Sequence, residues 1–200
     1  MLDIQDDISS YLAFSHYIDW NEPSVQRKAK ELKDSTEGEI ELAKAAYYFV
    51  RDEIKHSWDV QDKRVTATAS DALREGVGIC WAKSNLLAAL LRANGIPAGI
   101  CYQRLTLDST PESGYCIHAL NAIYLRSIDR WIRVDARGNK EGVQADFSVD
   151  DERLAFPIRK EYDEVDYKTV YAEPLPQTMS ILENSTDALY MYLHSLPERI

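Results

Sequence analysis

The stretch Gly76-Val77-Gly78-Ile79-Cys80-Trp81-Ala82-Lys83-Ser84-Asn85-Leu86-Leu87-Ala88-Ala89-Leu90-Leu91 decides how this chain is read. A glycine-bearing turn runs into an apolar helical segment, and the junction places Cys80 in the first helical turn. There the unpaired backbone N–H groups and the positive end of the helix dipole favour thiolate over thiol, and the thiolate is the nucleophilic form. Asn94-Gly95-Ile96-Pro97 then ends the helix, since glycine accepts a left-handed backbone and proline blocks continuation.

Downstream, hydrophobic alternation predicts strands at about 98–107, 115–125 and 130–135. His118 lies within Tyr115-Cys116-Ile117-His118-Ala119-Leu120-Asn121-Ala122-Ile123-Tyr124-Leu125, and Asp135 closes Trp131-Ile132-Arg133-Val134-Asp135. Nucleophile, base and orienting carboxylate therefore occur in that order. Taken singly, a cysteine is commonly a small buried apolar residue and a strand histidine a structural hydrogen-bonding one. The joint pattern carries the argument, because each residue falls in the element that the chemistry needs.

Strand alternation constrains the geometry further. Residues 116, 118, 120, 122 and 124 share one face, while Ile117, Ala119 and Ile123 share the other. For Asp135 to reach His118, the hairpin must place it opposite Leu120 or Ala122, and the first option gives the shorter diagonal. The connection Arg126-Ser127-Ile128-Asp129-Arg130 lacks an Asn-Gly or Asp-Gly signature, so the turn does not settle the register.

Three segments, GVGICWAKSNLLAALLRANGIPA (76–98), YCIHALNAIYL (115–125) and RWIRVDARGNKEGV (130–143), resemble the transglutaminase-like superfamily, a papain-related group of thiol enzymes. In that family the nucleophilic cysteine begins a helix and the histidine and aspartate lie on neighbouring antiparallel strands. The resemblance thus implies catalytic roles for Cys80, His118 and Asp135. It implies an α+β, papain/transglutaminase-like core with N-terminal helices and a nucleophile-bearing helix packed on an antiparallel sheet. Ile79 stands where mammalian transglutaminases carry a glutamine, which points to a small prokaryotic-type relative. The expected reaction is acyl transfer from an amide in a peptide or protein substrate through a thioester, with hydrolysis by a peptidase or deamidase ahead of transamidation. Besides the Cys80 N–H, the oxyanion donor is sought at Trp58 or His56, where relatives often place an aromatic residue.

Length and composition set the frame. With 200 residues, 45% hydrophobic and 10% aromatic, the chain suffices for one domain with a full core. That domain is expected to span 1–200, with a helical N-terminal part (about 1–75), a catalytic core (about 76–145) and a C-terminal extension ending in a helix (about 146–200). In the N-terminal part, a helix is expected from about Ser24 to Lys33 behind Pro23. Thr36 and Glu39 form a capping-box pattern before a second, with Leu42, Ala45, Ala46, Phe49, Val50 and Ile54 at helical spacing. Beyond Gly142, Phe147, Leu154, Phe156 and Pro157 suggest a returning loop or short strand. A final helix from about Gln177 to Leu193 would bury Met179, Ile181, Leu182, Leu189, Tyr192 and Leu193.

The net charge of −10 disfavours nucleic acid, whose phosphates need a clustered basic surface. The densest basic stretch, Arg27-Lys28-Ala29-Lys30 with Lys33, is interleaved with Glu31 and Asp34 and reads as a solvated helix face. The start Met1-Leu2-Asp3-Ile4-Gln5-Asp6-Asp7 has no export-signal pattern and no run is long enough to span a membrane, so a cytoplasmic location and no membrane partner are expected. Three cysteines without paired spacing fit a reducing compartment. No cofactor is implied. Zinc binding by Cys80, Cys101, Cys116, His56 and His118 is opposed by the absence of Cys-x-x-Cys or His-x-x-x-His spacing. A non-catalytic binding module and a Cys80–Cys116 redox pair remain as alternatives. Asp108-Ser109-Thr110-Pro111-Glu112-Ser113-Gly114 reads as an exposed loop at the pocket rim.

Overall fold

Everything in the architecture is arranged around helix α4, Cys80–Ala93, the residues of which are buried from Trp81 to Arg92. A helix apolar on all sides must be covered on all sides. The computed structural model describes residues 1–108 and 110–200; Ser109, in the predicted rim loop, lies outside the described residues. Preceding α4 are strand β1 (Asp3–Ile4), helix α1 (Pro23–Asp34), helix α2 (Glu39–Tyr48), strand β2 (Lys55–His56), helix α3 (Ala69–Glu75) and strand β3 (Val77–Gly78). Following it are strands β4 (Ala98–Thr106), β5 (Tyr115–Leu125), β6 (Arg130–Val134), β7 (Val165–Asp166) and β8 (Thr169–Val170), then helices α5 (Pro176–Glu183) and α6 (Ala188–His194).

Helices α1, α2 and α3 cover one side of α4, and an antiparallel sheet of order β6-β5-β4-β7 covers the other. This is the expected α+β arrangement. Leu86, Leu87 and Leu90 of α4 share a core with Ile100 and Tyr102 of β4 and with Ile117, Ala119, Ile123 and Leu125 of β5. Full burial of each such leucine is worth ~1.5–3 kcal/mol. The opposite face of the sheet, through Cys101, Leu120 and Ala122, packs on Tyr11, Val170 and Ala172. The alternation read from the strand sequence thus divides two buried faces, with Cys116 and His118 at positions of the second set. Asn121 is the polar exception on the α4 side, and its Nδ2 donates to the carbonyls of Ser84 and Gly99.

Local chemistry explains the ends of the elements. Pro23 opens α1, as a residue without an N–H can at a helix start. Thr68 caps α3 by accepting from the Asp71 N–H, and Gly76 closes it in the left-handed conformation, φ 67°. On α1, Lys28 pairs with Glu31 and Lys30 with Asp34, as expected of a solvated face. No helix among the described residues is long and apolar enough to cross a membrane.

Three expectations are corrected. The Thr36–Glu39 capping box does not form: the Thr36 hydroxyl donates to the Leu32 carbonyl, Gly38 occupies the cap, and the Glu39 carboxylate accepts from the Ser127 N–H. The C-terminal helix is two helices, broken at 184–187, where the Asp187 carboxylate caps α6 by accepting from the N–H groups of Leu189 and Tyr190. The break rephases the pattern, so Ala188 and Met191 are buried and Leu193 is exposed. Finally, residues 1–22 are not helical beyond one 3-10 turn at Ser10–Leu12, and β1 pairs in parallel with β8.

Candidate active site

Cys80 stands where the sequence places it, as the first residue of α4. Its N-terminal neighbour Ile79 supplies no side-chain cap, and no acidic residue occupies the first turn, so the helix end keeps its positive potential. The approach is narrow. A Cβ on Gly78 would lie 2.8 Å from the Thr66 hydroxyl and 3.1 Å from Ala82 Cβ, so the strand feeding α4 can sit this close only as glycine. Trp81, buried, donates from Nε1 to the Ile117 carbonyl at 2.8 Å, which ties the helix that begins at Cys80 to the strand that carries His118.

The β5–β6 register decides whether His118 and Asp135 meet. Asn121 pairs with Val134 and Ala122 with Arg133, so the next step along the ladder brings Asp135 opposite Leu120, the nearer of the two options. The turn is made by a 3-10 segment, Arg126–Ile128, and Asp129 at φ 48°. His118 Nε2 lies 2.8 Å from Asp135 Oδ2. The carboxylate is fully buried and held by backbone donors: Arg137 N–H to Oδ1 and Ala155 N–H to Oδ2, each at 3.2 Å. With Nε2 taken by Asp135, Nδ1 is the imidazole nitrogen left for Cys80, which lines the same cleft as His118. Burial works against charge on both groups. In His118 the Asp135 carboxylate and Cys80 outweigh it and push the ring upward, and in Asp135 the imidazole and the backbone donors outweigh it and push the carboxyl downward. The pair therefore favours imidazolium and carboxylate.

Cys80 and His118 line a cleft of about 650 Å³. Trp58 and His56 both line it. Trp58 stacks on Tyr192 of α6, ring centroids 4.4 Å apart and planes 13° from parallel. His56 is buried, meets Tyr192 edge-on, and its Nδ1 has no hydrogen-bond partner among the described residues. Burial holds His56 well below the ordinary imidazole range, and the Arg137 charge acts in the same direction. The pairing of His56 with Gly78 across β2 and β3 sets it beside the entrance to α4.

Cys116 lines the cleft as well, whereas Cys101 is wholly buried in β4; burial pushes each thiol up to about 12. All three cysteines are free. Among the described residues no three His, Cys, Asp or Glu side chains gather as a metal site.

Several neighbours escaped the sequence reading. Tyr192 and Phe156, which meets His118 edge-on at 5.2 Å, arrive from the C-terminal third. Arg137 and Lys140, which both line the cleft, pair with Asp59 at 2.5 Å and 2.9 Å. Arg137 and Lys140 had an available signal, since both follow Asp135 within the quoted segment 130–143.

The comparisons with known proteins bear on the family and the fold. A family model described as the transglutaminase-like superfamily matches residues 26–136. No curated protein matches the chain. Among solved structures, a candidate cysteine protease from Cytophaga hutchinsonii is similar with a TM-score of 0.54 and 23% identity over 68% of this chain and 43% of that one. The periplasmic domain of TgpA from Pseudomonas aeruginosa is similar with a TM-score of 0.49 and 20% identity over 66% of this chain and 48% of that one. The chain thus spans less than half the length of either neighbour, and the first likeness concerns the fold alone. With the family match extending across more than half of its residues, the chain belongs to the transglutaminase-like superfamily.

Proposed function

We propose that the protein is a thiol acyl-transfer enzyme that hydrolyses amide bonds in peptide or protein substrates. The Cys80 thiolate attacks the amide carbonyl carbon, the electron pair moves to oxygen, and His118 delivers its proton to the leaving nitrogen as the C–N bond breaks. The remaining thioester on Cys80 is attacked by water, whose proton returns to His118, and the thiolate leaves. Asp135 keeps Nε2 protonated and stabilises the imidazolium. The observation that carries this reading is the 2.8 Å hydrogen bond between the buried Asp135 carboxylate and His118, whose imidazole lines one cleft with Cys80 at the start of α4. Membership of a thiol-enzyme family supports it.

The tetrahedral oxyanion needs two donors. The Cys80 N–H at the start of α4 is one. His56 is assigned as the second: the ring is neutral, so it offers one N–H, and its Nδ1 is a buried polar atom with no partner among the described residues. Trp58, stacked on Tyr192, is assigned to the cleft wall. Ile79 in place of a glutamine before the nucleophile supports water over an amine as the acceptor.

The test is labelling with a panel of thiol-reactive peptide and amide probes, followed by peptide mapping and by turnover of the preferred amide with and without a fluorescent primary amine. Labelling at Cys80 that is lost in Cys80→Ala, with carboxylate product and no amine incorporation, is expected. Undiminished turnover in Cys80→Ala would overturn the assignment, and amine incorporation would replace hydrolysis by transamidation.

A further inference from the structure

Three residues after Cys80, α4 buries an ammonium group. Lys83 is 1% exposed, and its Nζ donates to the carbonyls of Val50 at 2.8 Å, of Arg51 at 3.4 Å and of Ile54. Val50 and Arg51 belong to Phe49–Glu53, the π-helical continuation of α2, and Ile54 leads directly into β2. A helix C-terminus leaves carbonyls without partners and carries negative potential, normally answered by water or a glycine cap. Here a cation from the neighbouring helix answers them.

That arrangement has a cost. Burial pulls Lys83 down to about 7, the Arg137 charge acts in the same direction, and Asp135 opposes them. The neighbouring aliphatic run, Leu86 to Leu91, shows what would otherwise fill such a position. Two residues beyond the clamped Ile54 carbonyl, His56 pairs with Gly78, whose carbonyl also accepts from the Ser57 N–H. Positions 80 and 83 share one side of α4. The helix therefore carries the thiol at its first residue and grips, one turn on, the segment that holds His56.

We propose that Lys83 is a positioning residue: its clamp on Val50 and Ile54 fixes β2 so that His56 is held at the Cys80 oxyanion site. The proposal rests on the acyl-transfer reading for its kinetic consequence and on the Lys83 hydrogen bonds and the β2–β3 pairing alone for its structural one.

The experiment compares the parent, Lys83→Met, His56→Ala and the double variant, with melting temperature and circular dichroism as the folding control. In Lys83→Met, kcat for amide turnover is expected to fall about ten- to hundred-fold with KM changed by less than about three-fold, as for a misplaced catalytic group. Iodoacetamide alkylation of Cys80, which needs no oxyanion donor, should stay within about two-fold. In the His56→Ala background, Lys83→Met should lower kcat by less than about two-fold more, because both changes remove one interaction. Hydrogen exchange should quicken at the Lys55 and Ser57 amides and not along the centre of α4. A folded Lys83→Met variant with parental kcat, a fully additive loss in the double variant, or unchanged exchange at Lys55 and Ser57 overturns the proposal. If Lys83→Met does not fold, Lys83→Gln, one atom shorter and with two N–H groups in place of three, loosens the clamp and takes its place, with losses in the same direction expected and parental kcat and exchange again overturning the proposal. Should the parent itself turn over no amide, the acyl-transfer reading fails, while the exchange measurement still decides whether Lys83 fixes β2.

Discussion

Replacing Asp135 by asparagine changes one atom in a site that has no room for a second donor. In the parent, Oδ2 accepts from His118 Nε2 and the Ala155 N–H, and Oδ1 accepts from the Arg137 N–H. An asparagine whose oxygen keeps the Arg137 bond turns its NH2 toward His118 and the Ala155 N–H. The imidazole then presents Nε2 as acceptor, its proton moves to Nδ1, and that nitrogen can no longer take the thiol proton. In the flipped rotamer the histidine keeps its partner, but the NH2 faces the Arg137 N–H. Either way a buried backbone donor meets another donor, which costs ~1–3 kcal/mol of stability. The rate suffers more: a tautomer-fixing carboxylate is worth about 10⁴ in kcat, or ~5 kcal/mol of barrier. The assay is kcat/KM on an amide substrate together with the rate of Cys80 alkylation between pH 5 and 10. Asp135→Asn should melt slightly below the parent and lose both turnover and the parent's alkylation profile. A folded Asp135→Asn enzyme within about ten-fold of parental kcat/KM would refute the reasoning.

The three thiols should separate by reactivity. Iodoacetamide near pH 7 should modify Cys80 first, Cys116 slowly and Cys101 only after denaturation, since burial raises the last two to about 12, and His118→Ala should slow Cys80 alone; time-resolved mass spectrometry that finds Cys116 fastest would dissolve the Cys80–His118 pairing. Stability should depend on pH through the buried pair. His118, raised in the folded state, contributes fully below its ordinary value and loses that contribution as pH rises through the folded one; Asp135, lowered, contributes fully above the usual carboxylate value and loses it as pH falls. The pair's contribution is therefore complete between about pH 4 and 6.5, and urea midpoints across pH should flatten in Asp135→Asn. Gly78→Ala should lower stability by ~1–3 kcal/mol, because its Cβ meets Thr66 Oγ1 at 2.8 Å and Ala82 Cβ at 3.1 Å; an unchanged denaturation midpoint would show that the strand relaxes freely.

How much of this was legible depends on where the determining contact lies. The start and end of α4 were readable because cap geometry is local: Gly76 before it, and Gly95 at φ 77° with Pro97 after it. The strands were readable because both sheet faces are buried and parity alone sorts their residues. Their register was confined to two options and no further, since the Arg126–Ile128 turn has no common hairpin signature. The false capping box shows the limit of a pattern whose partners compete: the Thr36 hydroxyl found the Leu32 carbonyl first. The uninterrupted C-terminal helix was a failure of periodicity, which ran on across 184–187 although Asp187 was available to start a new helix.

The candidate site divides along the same line. Its three candidate reacting residues announce themselves because side-chain chemistry restricts them to a few types in particular elements. The groups that set their states are mostly of another kind. Asp135 is held charged by His118 and by the amides of Arg137 and Ala155, and any residue other than proline at 155 would supply that donor, so the sequence there is silent. Lys83 is silent for a different reason, as a lysine on a helix is ordinarily read as solvated until the three carbonyls beneath it are seen. Tyr192 brings the C-terminal helix against Trp58 and His56 by packing alone. A nucleophile is legible as a residue type, whereas the environment that activates it is built from main-chain donors and distant packing, and these become visible only once the chain has folded back on itself.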